Sequence, residues 1–353
     1  MQKNTRKGLS VMEDIRQQSK GQLKEFFQTN GRKAFRAKQV FEWLWKKGAG
    51  SFDEMTNLSK EDRQLLKDHF QINPIKLHSE QRSNDGTIKC AFELYDGHLI
   101  ESVLIPSAKR MTACISTQVG CQLRCSFCAT AKIPFKRNLD VGEIFDQVFF
   151  INNLAEKYYQ QHLSNIVYMG MGEPLNNYDN LIGSTEIISS EEGLNYSPRR
   201  ITVSSVGIPD KVNMLAKKQP RFNLAISLHT AMNEKRNKII PVNKTYDLSQ
   251  LKESLIHFHK QTGNRIIFEY LMLGDFNDGR EDATALADYC KSFPVKVNLI
   301  EYNPVKNDSF KKSTDQKTQE FKEFLESKNM IVTIRRSRGG DIDAACGQLA
   351  GKK

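Results

Sequence analysis

Cys121, Cys125 and Cys128 lie close together near the middle of this sequence of 353 residues. Their spacing, C-x3-C-x2-C, allows three thiolates from a single loop to surround one compact metal centre. A structural zinc site takes four ligands, usually as two separated pairs, and no second C-x2-C pair follows this cluster. Three thiolates suit an iron–sulfur cube, in which one iron stays open for a substrate. Structural zinc in a non-catalytic protein remains the alternative.

Strand-like runs alternate with amphipathic helical stretches through the last two thirds of the chain. The runs lie at 111–116, 165–169, 200–206, 222–228, 265–273 and 295–301. The clearest helical stretches lie at 140–158, 247–261 and 279–291. This alternation predicts parallel βα units with right-handed crossovers. Six units are too few for a closed eight-stranded barrel, so we expect a partial barrel or an open sheet.

Residues that could bind a ligand follow these strands, at the edge of the sheet where α/β folds bind their ligands. Gly172 and Glu173 come after the second strand, where glycine permits close backbone approach and the carboxylate can accept from an ammonium group. The others are Ser204 at the end of the third strand, Ser227, Leu228 and His229 at the end of the fourth, and Asn303 after the sixth. The cysteine cluster follows the first strand. We therefore expect all of these residues on one face of the barrel.

The first part of the chain has a different pattern. Residues 1–75 are predicted to form a helical accessory domain, with helical stretches at 14–27 and 39–47. Residues 76–106 contain Asp-Gly turns between short alternating runs, which predicts a β-ribbon linker. Residues 107–353 would then contain the barrel and a C-terminal tail.

The chain is strongly basic. It has 52 Lys and Arg against 41 Asp and Glu, which gives a formal net charge of +11. Such an excess is typical of proteins that bind polyanions, most often RNA or DNA, although a solvated basic surface would look the same. Basic residues are dense in 1–75, and two further groups are Lys132, Lys136 and Arg137, and Arg335, Arg336 and Arg338.

Targeting signals are not expected. Basic residues in 1–10 are followed by Glu13 and Asp14, where a signal peptide needs an apolar stretch. No run of about 18 apolar residues occurs, so no membrane helix is predicted. Seven cysteines in a long chain do not indicate a secreted disulfide framework. We expect a cytoplasmic protein with reduced thiols, without a membrane partner and monomeric.

The cysteine spacing resembles the signature of the radical S-adenosylmethionine (radical SAM) enzymes, whose fold is a partial (β/α)6 barrel. The resemblance implies a [4Fe-4S] cluster held by three cysteines, with S-adenosylmethionine bound at the open iron. In that superfamily an electron from the cluster breaks a carbon–sulfur bond and gives a 5′-deoxyadenosyl radical. Phe127 matches the aromatic position of the motif and would lie near the adenine. The resemblance also implies an electron donor such as a flavodoxin or ferredoxin.

Four further motifs resemble one family, the RlmN methyltransferases. They are Ile-Glu-Ser-Val at 100–103, Ala-Cys-Ile-Ser at 113–116, Gly-Met-Gly-Glu-Pro at 170–174 and Asp-Ile-Asp-Ala-Ala-Cys-Gly-Gln-Leu at 341–349. The resemblance extends from about residue 20 to the C-terminus. It implies methylation of carbon 2 of an adenine in 23S rRNA and in certain tRNAs. A related branch methylates carbon 8 of the same rRNA adenine, and Pro174 and 335–340 favour the carbon-2 branch.

The resemblance also implies how a poorly nucleophilic ring carbon is methylated. Cys346 would take a methyl group from one S-adenosylmethionine, and a radical from a second would activate that methyl for addition to the adenine. Glu101 would accept the ring proton. Cys114 would release the product by forming a transient disulfide with Cys346. Cys90 and Cys290 match no motif, and we expect their replacement to leave activity intact.

Overall fold

The computed structural model describes residues 12–108, 110–305 and 309–351. The basic segment 1–10 therefore lies outside the described residues. Next comes a small helical unit with a two-stranded parallel pair, β1 with β2. Its elements are β1 (Glu13–Asp14), α1 (Lys20–Thr29), α2 (Arg36–Trp45), α3 (Lys60–His69) and β2 (Phe70–Gln71).

Helix α1 begins later than the sequence pattern predicts. Ser19 accepts a hydrogen bond from the backbone N–H of Gln22, and the Gln22 side chain accepts from Ser19 in return. This capping box satisfies N–H groups that the first helical turn leaves without partners, so the helix starts at Lys20 and not at residue 14. Leu23 and Phe27 on the inner face of α1 are fully buried. The buried side chains of the helical unit belong to the same continuous core as those of the barrel, and Trp45 packs against Phe145 of the main domain.

An antiparallel ribbon follows the helical unit. It consists of β3 (Lys76–Arg82), β4 (Ile88–Glu93) and β5 (Leu99–Ser107), and β5 pairs with β6 (Arg110–Cys114). The ribbon is therefore continuous with the main sheet. In the β5–β6 register Val103 lies opposite Cys114, which places the motifs at 100–103 and 113–116 side by side. A separate short pair, β7 (Gln118–Val119) with β8 (Arg137–Asn138), flanks the cysteine loop.

The parallel part of the sheet contains the strands that the sequence predicts. After β6 come β9 (Asn165–Tyr168), β10 (Ile201–Ser205), β11 (Asn223–Ser227), β12 (Ile266–Gly274) and β13 (Val295–Glu301). Each pairs in parallel with the next, from β6 through β13. Their side chains are largely buried because helices cover the sheet. The partial (β/α)6 arrangement is confirmed.

One parallel strand was not predicted. β15 (Ile331–Arg335) pairs in parallel with β13 and forms the last strand on that side of the sheet. Of its five residues only Val332 is buried, and Ile331 and Thr333 are exposed, so the strand is too short and too exposed to distinguish from a loop in the sequence. A short strand β14 (Lys311–Lys312) pairs antiparallel with β12. Through β15 the chain returns to the sheet directly before the tail.

Helices connect the parallel strands. They are α4 (Val141–Tyr159), α5 (Tyr178–Ser189), α6 (Pro209–Lys218), α7 (Asn233–Ile239), α8 (Leu248–Thr262), α9 (Arg280–Tyr289) and α10 (Asp315–Ser327). Asp140 and Asp247 form capping boxes that fix the starts of α4 and α8. Among the described residues no helix is long and apolar enough to cross a membrane. Because the strands are parallel, their carboxyl ends meet at one edge of the sheet.

Candidate active site

A cavity of about 410 Å³ opens at the carboxyl ends of the parallel strands. It brings together most of the residues that the sequence predicts for the site. These are Cys114, Cys121, Cys125, Phe127, Cys128, Gly172, Glu173, Ser204, Ser227, His229 and Cys346. The side chains of Glu101, Leu228 and Asn303 do not line it. Residues far apart in the chain therefore converge on one chamber.

The cysteine loop is held against the sheet from two directions. Strands β7 and β8 close its base, and the Ser126 N–H donates to the carbonyl of Ile239 over 3.0 Å. Burial raises the pKa of the Cys121 thiol to about 12 and that of Cys125 well above its usual range. As bare thiols these groups keep their protons at neutral pH. A metal centre that bound here would displace those protons.

The described residues form no tight site for a single metal ion. In the described residues no three His, Cys, Asp or Glu side chains converge on one point where a metal ion could be held. A zinc ion needs such convergence, because its bonds to sulfur are about 2.3 Å long. A [4Fe-4S] cube binds each cysteine to a different iron, so its ligands lie further apart. The geometry of the described residues therefore does not support the zinc alternative.

The segment after β9 passes unusually close to the end of β6. A Cβ atom on Gly170 would lie 2.6 Å from Ser116 Oγ, and one on Gly172 would lie 2.5 Å from the Gln118 side chain. Gly172 also has a positive φ of 100°. Both positions thus require glycine. This close approach places Glu173 directly beside the cysteine loop.

Glu173 is rigidly held. Its two carboxylate oxygens accept backbone N–H groups from Leu175 and Val206, each over 3.0 Å. Only 3% of the residue is exposed, and burial raises the pKa of its carboxyl group. The carboxylate thus lies at the cavity wall in a fixed orientation. An ammonium group of a ligand would compensate its buried charge.

The ends of β10 and β11 contribute a polar wall. Ser204 Oγ and Ser227 Oγ lie 3.3 Å apart, and His229 follows them with a left-handed backbone of φ 58°. His229 Nδ1 accepts the Leu271 N–H over 3.0 Å, which leaves the proton on Nε2. Burial lowers the pKa of His229 to about 3, so the ring is neutral. The edge of the Phe127 ring contacts it, with ring centroids 4.7 Å apart.

A buried arginine that the sequence analysis did not single out supports this wall. Arg236 on α7 is fully buried and donates to the carbonyls of Val206 and Leu228, over 2.6 and 3.2 Å. It thereby ties the ends of β10 and β11 together from behind. Leu228 itself is completely buried, so it contributes backbone and not side chain. Nothing in the local sequence around position 236 distinguishes this arginine from the exposed charges of the same short helix.

The opposite wall carries two thiols and an ion pair. Cys114 is buried, which raises the pKa of its thiol to about 12, and Cys346 is exposed to the cavity. Near both sulfurs, Arg335 at the end of β15 pairs with Glu269 over 3.4 Å. Asn298 also donates to Glu269, over 2.9 Å. Arg335, expected among the basic RNA-binding candidates, is therefore part of the cavity.

The cysteines are all in the reduced form. Each of the seven has a free thiol, so the disulfide between Cys114 and Cys346 that the family resemblance implies is not formed in this structure. The two thiols nevertheless lie near enough to influence each other electrostatically. The disulfide pairing is not confirmed, but the proximity of the two side chains is.

The tail that carries Cys346 is docked on the cysteine loop. The Ala129 N–H donates to the Gly347 carbonyl, and Thr130 Oγ1 donates to the Leu349 carbonyl, each over 2.7 Å. Asn303 Nδ2 contacts the Cys346 carbonyl over 3.3 Å. Asn303 thus reaches the tail in this structure, and not the cavity as the sequence predicts. Residues of the tail thus form one wall of the cavity.

Glu101 lies behind the tail. Only 2% of it is exposed, and its Oε2 accepts the Ala350 N–H over 2.7 Å. Two of the other basic candidates, Arg137 and Arg336, have carboxylate partners on the protein itself. Arg137 makes two hydrogen bonds of 2.7 Å to Glu143, and Arg336 pairs with Glu301 and Asp315. Arg137 is thus tied to α4, whereas Arg336 is more than half exposed and also lines the cavity.

Comparisons with known proteins identify this arrangement. Residues 14–72 match the family model of the ribosomal RNA large subunit methyltransferase N-terminal domain, and residues 115–287 match the radical SAM superfamily. A probable dual-specificity RNA methyltransferase RlmN from Christiangramia forsetii is 53% identical over 339 residues, which cover 96% of each chain. The chain belongs to the RlmN family. Its relative in Cytophaga hutchinsonii, described in the same words, is 52% identical over 96% of this chain and 93% of its own.

A solved structure confirms the fold of this RlmN-family chain. A radical SAM methyltransferase from Sphaerobacter thermophilus superposes with a TM-score of 0.91 at 35% sequence identity. The match covers 96% of this chain and 100% of the other. The protein is therefore a radical SAM methyltransferase, an enzyme that uses a [4Fe-4S] cluster and S-adenosylmethionine. Its family acts on RNA.

Proposed function

We propose that this protein methylates carbon 2 of an adenine in 23S rRNA and in tRNAs, through an S-methylated Cys346. The observation that carries the proposal is the position of Cys346. Its thiol opens into the same cavity as Cys121, Cys125 and Cys128 and lies close to Cys114. The thiol that accepts the methyl group and the cysteines that would hold the cluster can thus act on a substrate bound in this one cavity.

The chemistry explains why a protein thiol is needed. Carbon 2 of adenine is electron-poor and cannot attack a methyl sulfonium as a nitrogen atom does. The Cys346 thiolate attacks the methyl carbon of the first S-adenosylmethionine, so that a bond from the cysteine sulfur to the methyl group forms and S-adenosylhomocysteine leaves. When bound, the cluster supplies the electron that cleaves a second S-adenosylmethionine. The S-methyl group of Cys346 would then give a hydrogen atom to the 5′-deoxyadenosyl radical, which becomes 5′-deoxyadenosine, and the remaining methylene carbon would bond to carbon 2 of the adenine.

The cavity walls position the cosubstrate. The fixed carboxylate of Glu173 accepts from its ammonium group, while Ser204 and Ser227 face its polar atoms. The neutral His229 offers a single N–H donor, and Leu228 contributes its backbone. We assign Phe127 to the adenine and Asn303 to a ligand contact that becomes available when the tail moves.

Two further residues complete the reaction. Glu101 takes the proton from carbon 2, and Cys114 supplies the thiol that releases the product from Cys346. Both lie beside the tail, which must therefore move between turnover steps. Gly339 lies shortly after the end of β15 and has a positive φ of 66°. We infer that the tail rotates about this residue, because glycine adopts such backbone angles without strain.

The reaction requires an RNA substrate and an electron donor. The basic surface binds the RNA phosphates, and the target adenine leaves its stack to enter the cavity. We place the enzyme in the cytoplasm as a monomer, where a flavodoxin or ferredoxin provides the electron. No membrane partner is required.

The experiment is mass spectrometry of modified nucleosides in rRNA and tRNA from cells that lack the gene. Restoring the wild-type chain should restore 2-methyladenosine, and Cys346→Ala should restore none, because the methyl carrier is lost. Cys90→Ala is the matched control, since Cys90 is buried in β4 outside the cavity, and it should behave as wild type.

The other results identify the alternatives. Loss of 8-methyladenosine on deletion, with 2-methyladenosine unchanged, would assign the protein to the carbon-8 branch. If neither nucleoside changed, the substrate proposed here would be wrong. Recovery of 2-methyladenosine with Cys346→Ala would refute the role of that thiol.

A further inference from the structure

Lys89 is a buried cation at the back of the active site. It lies on β4, only 7% of it is exposed, and its ammonium group is 3.6 Å from Glu101 Oε1. The same nitrogen is 3.4 Å from the Asp343 carbonyl in the C-terminal tail. Lys89 therefore contacts the expected proton acceptor and the segment that carries Cys346.

The burial of a lysine on β4 needs a physical reason. Lysine is almost never buried without a partner, because removing an ammonium group from water costs several kcal/mol. Its ammonium group has two polar contacts, the carboxylate of Glu101 on β5 and the Asp343 carbonyl in the tail. Glu101 is equally buried. The ion pair thus places two compensating charges inside the site.

The two oxygens of Glu101 have different partners. Oε1 faces Lys89, whereas Oε2 accepts the backbone N–H of Ala350 over 2.7 Å. Lys89 and Glu101 lie on neighbouring paired strands, β4 and β5, so their separation is fixed by the sheet. Ala350 belongs to the tail, whose contact breaks when the tail moves. Departure of the tail frees Oε2 alone.

We propose that Lys89 is a positioning residue that holds the Glu101 carboxylate by Oε1, so that Oε2 accepts the adenine proton once the tail moves. The inference rests on the proposed function and adds to it. The proton passes from carbon 2 to Oε2, and the electron pair of that C–H bond returns to the ring. Lys89 donates throughout and takes no part in the transfer.

The test is Lys89→Met, which keeps an unbranched side chain and removes the charge. Three quantities are measured on the cluster-loaded enzyme with tRNA: 5′-deoxyadenosine formation, S-methylation of Cys346 and the covalent RNA–protein adduct on denaturing gels. We expect the first two to stay within about twofold of wild type. Release of methylated RNA should slow about tenfold or more, and the adduct should accumulate, because proton transfer slows when the Glu101 carboxylate is no longer held in position.

Two companion variants separate positioning from folding. Lys89→Arg keeps the cation and should recover most of the release rate. Lys235→Met removes the cation of a partly buried pair outside the site, the one with Asp282 at 2.7 Å, and should not accumulate adduct. Thermal unfolding of all three reports on stability.

The outcomes are decisive. Normal release by Lys89→Met overturns the inference, and so does an equal loss of all three quantities, which would give Lys89 a structural role only. Failure of Lys89→Arg to improve release would also overturn it. Failure of the proposed function looks different, since the wild-type enzyme itself would then form no 2-methyladenosine.

Discussion

His229 illustrates how burial sets the chemistry of a single residue in this site. Its backbone has a left-handed φ of 58°, and its Nδ1 accepts the N–H of Leu271. Burial and the nearby Arg236 guanidinium lower the pKa of the ring to about 3. The imidazole therefore stays neutral at every physiological pH and acts as a fixed donor through Nε2.

This shift makes stability depend on pH in a defined direction. The folded pKa is about 3 and the ordinary value is 6.5, so below pH 6.5 the unfolded chain binds a proton that the folded chain does not. Stability is complete above about pH 6.5 and falls as the pH is lowered through that value. His229 alone should remove about 1.4 kcal/mol of the unfolding free energy between pH 7.5 and 5.5.

His229→Asn tests this, because asparagine tolerates a left-handed backbone and keeps an acceptor near Nδ1. Urea unfolding at both pH values should show a loss smaller by about 1.4 kcal/mol in the variant than in wild type. Equal losses in the two proteins would show that the ring already carries a proton in the folded state.

Sequence reasoning finds some of these residues and misses others for a physical reason. Cys121, Cys125 and Cys128 carry their signal in local spacing, so they can be recognised in one loop. Glu269, Arg335 and Lys89 meet the site only through strand pairings, which place charges from distant segments together. A lone charged residue in a strand gives no local sign of such a contact.

At the scale of elements, the parallel strands were predictable because apolar β-branched runs alternate with helices of regular period. Each predicted strand end lies within about two residues of the observed one. Most of the polar residues after those ends line the cavity, and Asn303 is the exception. The start of α1 and strand β15 were not predictable in the same way. A capping box decides the first, and pairing to β13 decides the second.

The connection between β9 and the end of β6 is the element whose geometry the site most requires. We expect Gly170→Ala to destabilise the protein by about 1–3 kcal/mol, because the added methyl would meet Ser116 Oγ and the Ile115 backbone. Displacement of this connection would also move Glu173, so cleavage of S-adenosylmethionine should fall. Urea unfolding and 5′-deoxyadenosine yield measure the two effects.

Gly21 in α1 provides the control for this substitution. Its added Cβ would have only an ordinary contact of 3.8 Å with Ser19 Oγ. Gly21→Ala should therefore leave activity unchanged and slightly raise stability, since alanine favours helix. A Gly170→Ala protein as stable and active as Gly21→Ala would show that the close approach of the two segments is not needed.

At the scale of the whole molecule, the question is which of the basic residues behind the net charge of +11 are available to bind RNA. Several buried or half-buried arginines are neutralised by carboxylates, as Arg137 is by Glu143. The helical unit instead exposes Lys33 and Lys38 near Phe35, a residue that is 53% exposed. Exposed cations beside an aromatic ring are suited to RNA phosphates and unstacked bases.

Salt dependence of tRNA binding tests this placement, because each neutralised phosphate releases counterions. Removing two phosphate contacts with Lys33→Ala/Lys38→Ala should reduce the slope of log K against log salt by about 1.5. The matched pair Lys217→Ala/Lys260→Ala removes two exposed lysines from the outer helices α6 and α8 and should leave the slope unchanged. Equal reductions in both pairs would mean that RNA responds to net charge alone, and that the helical unit has no special part in binding.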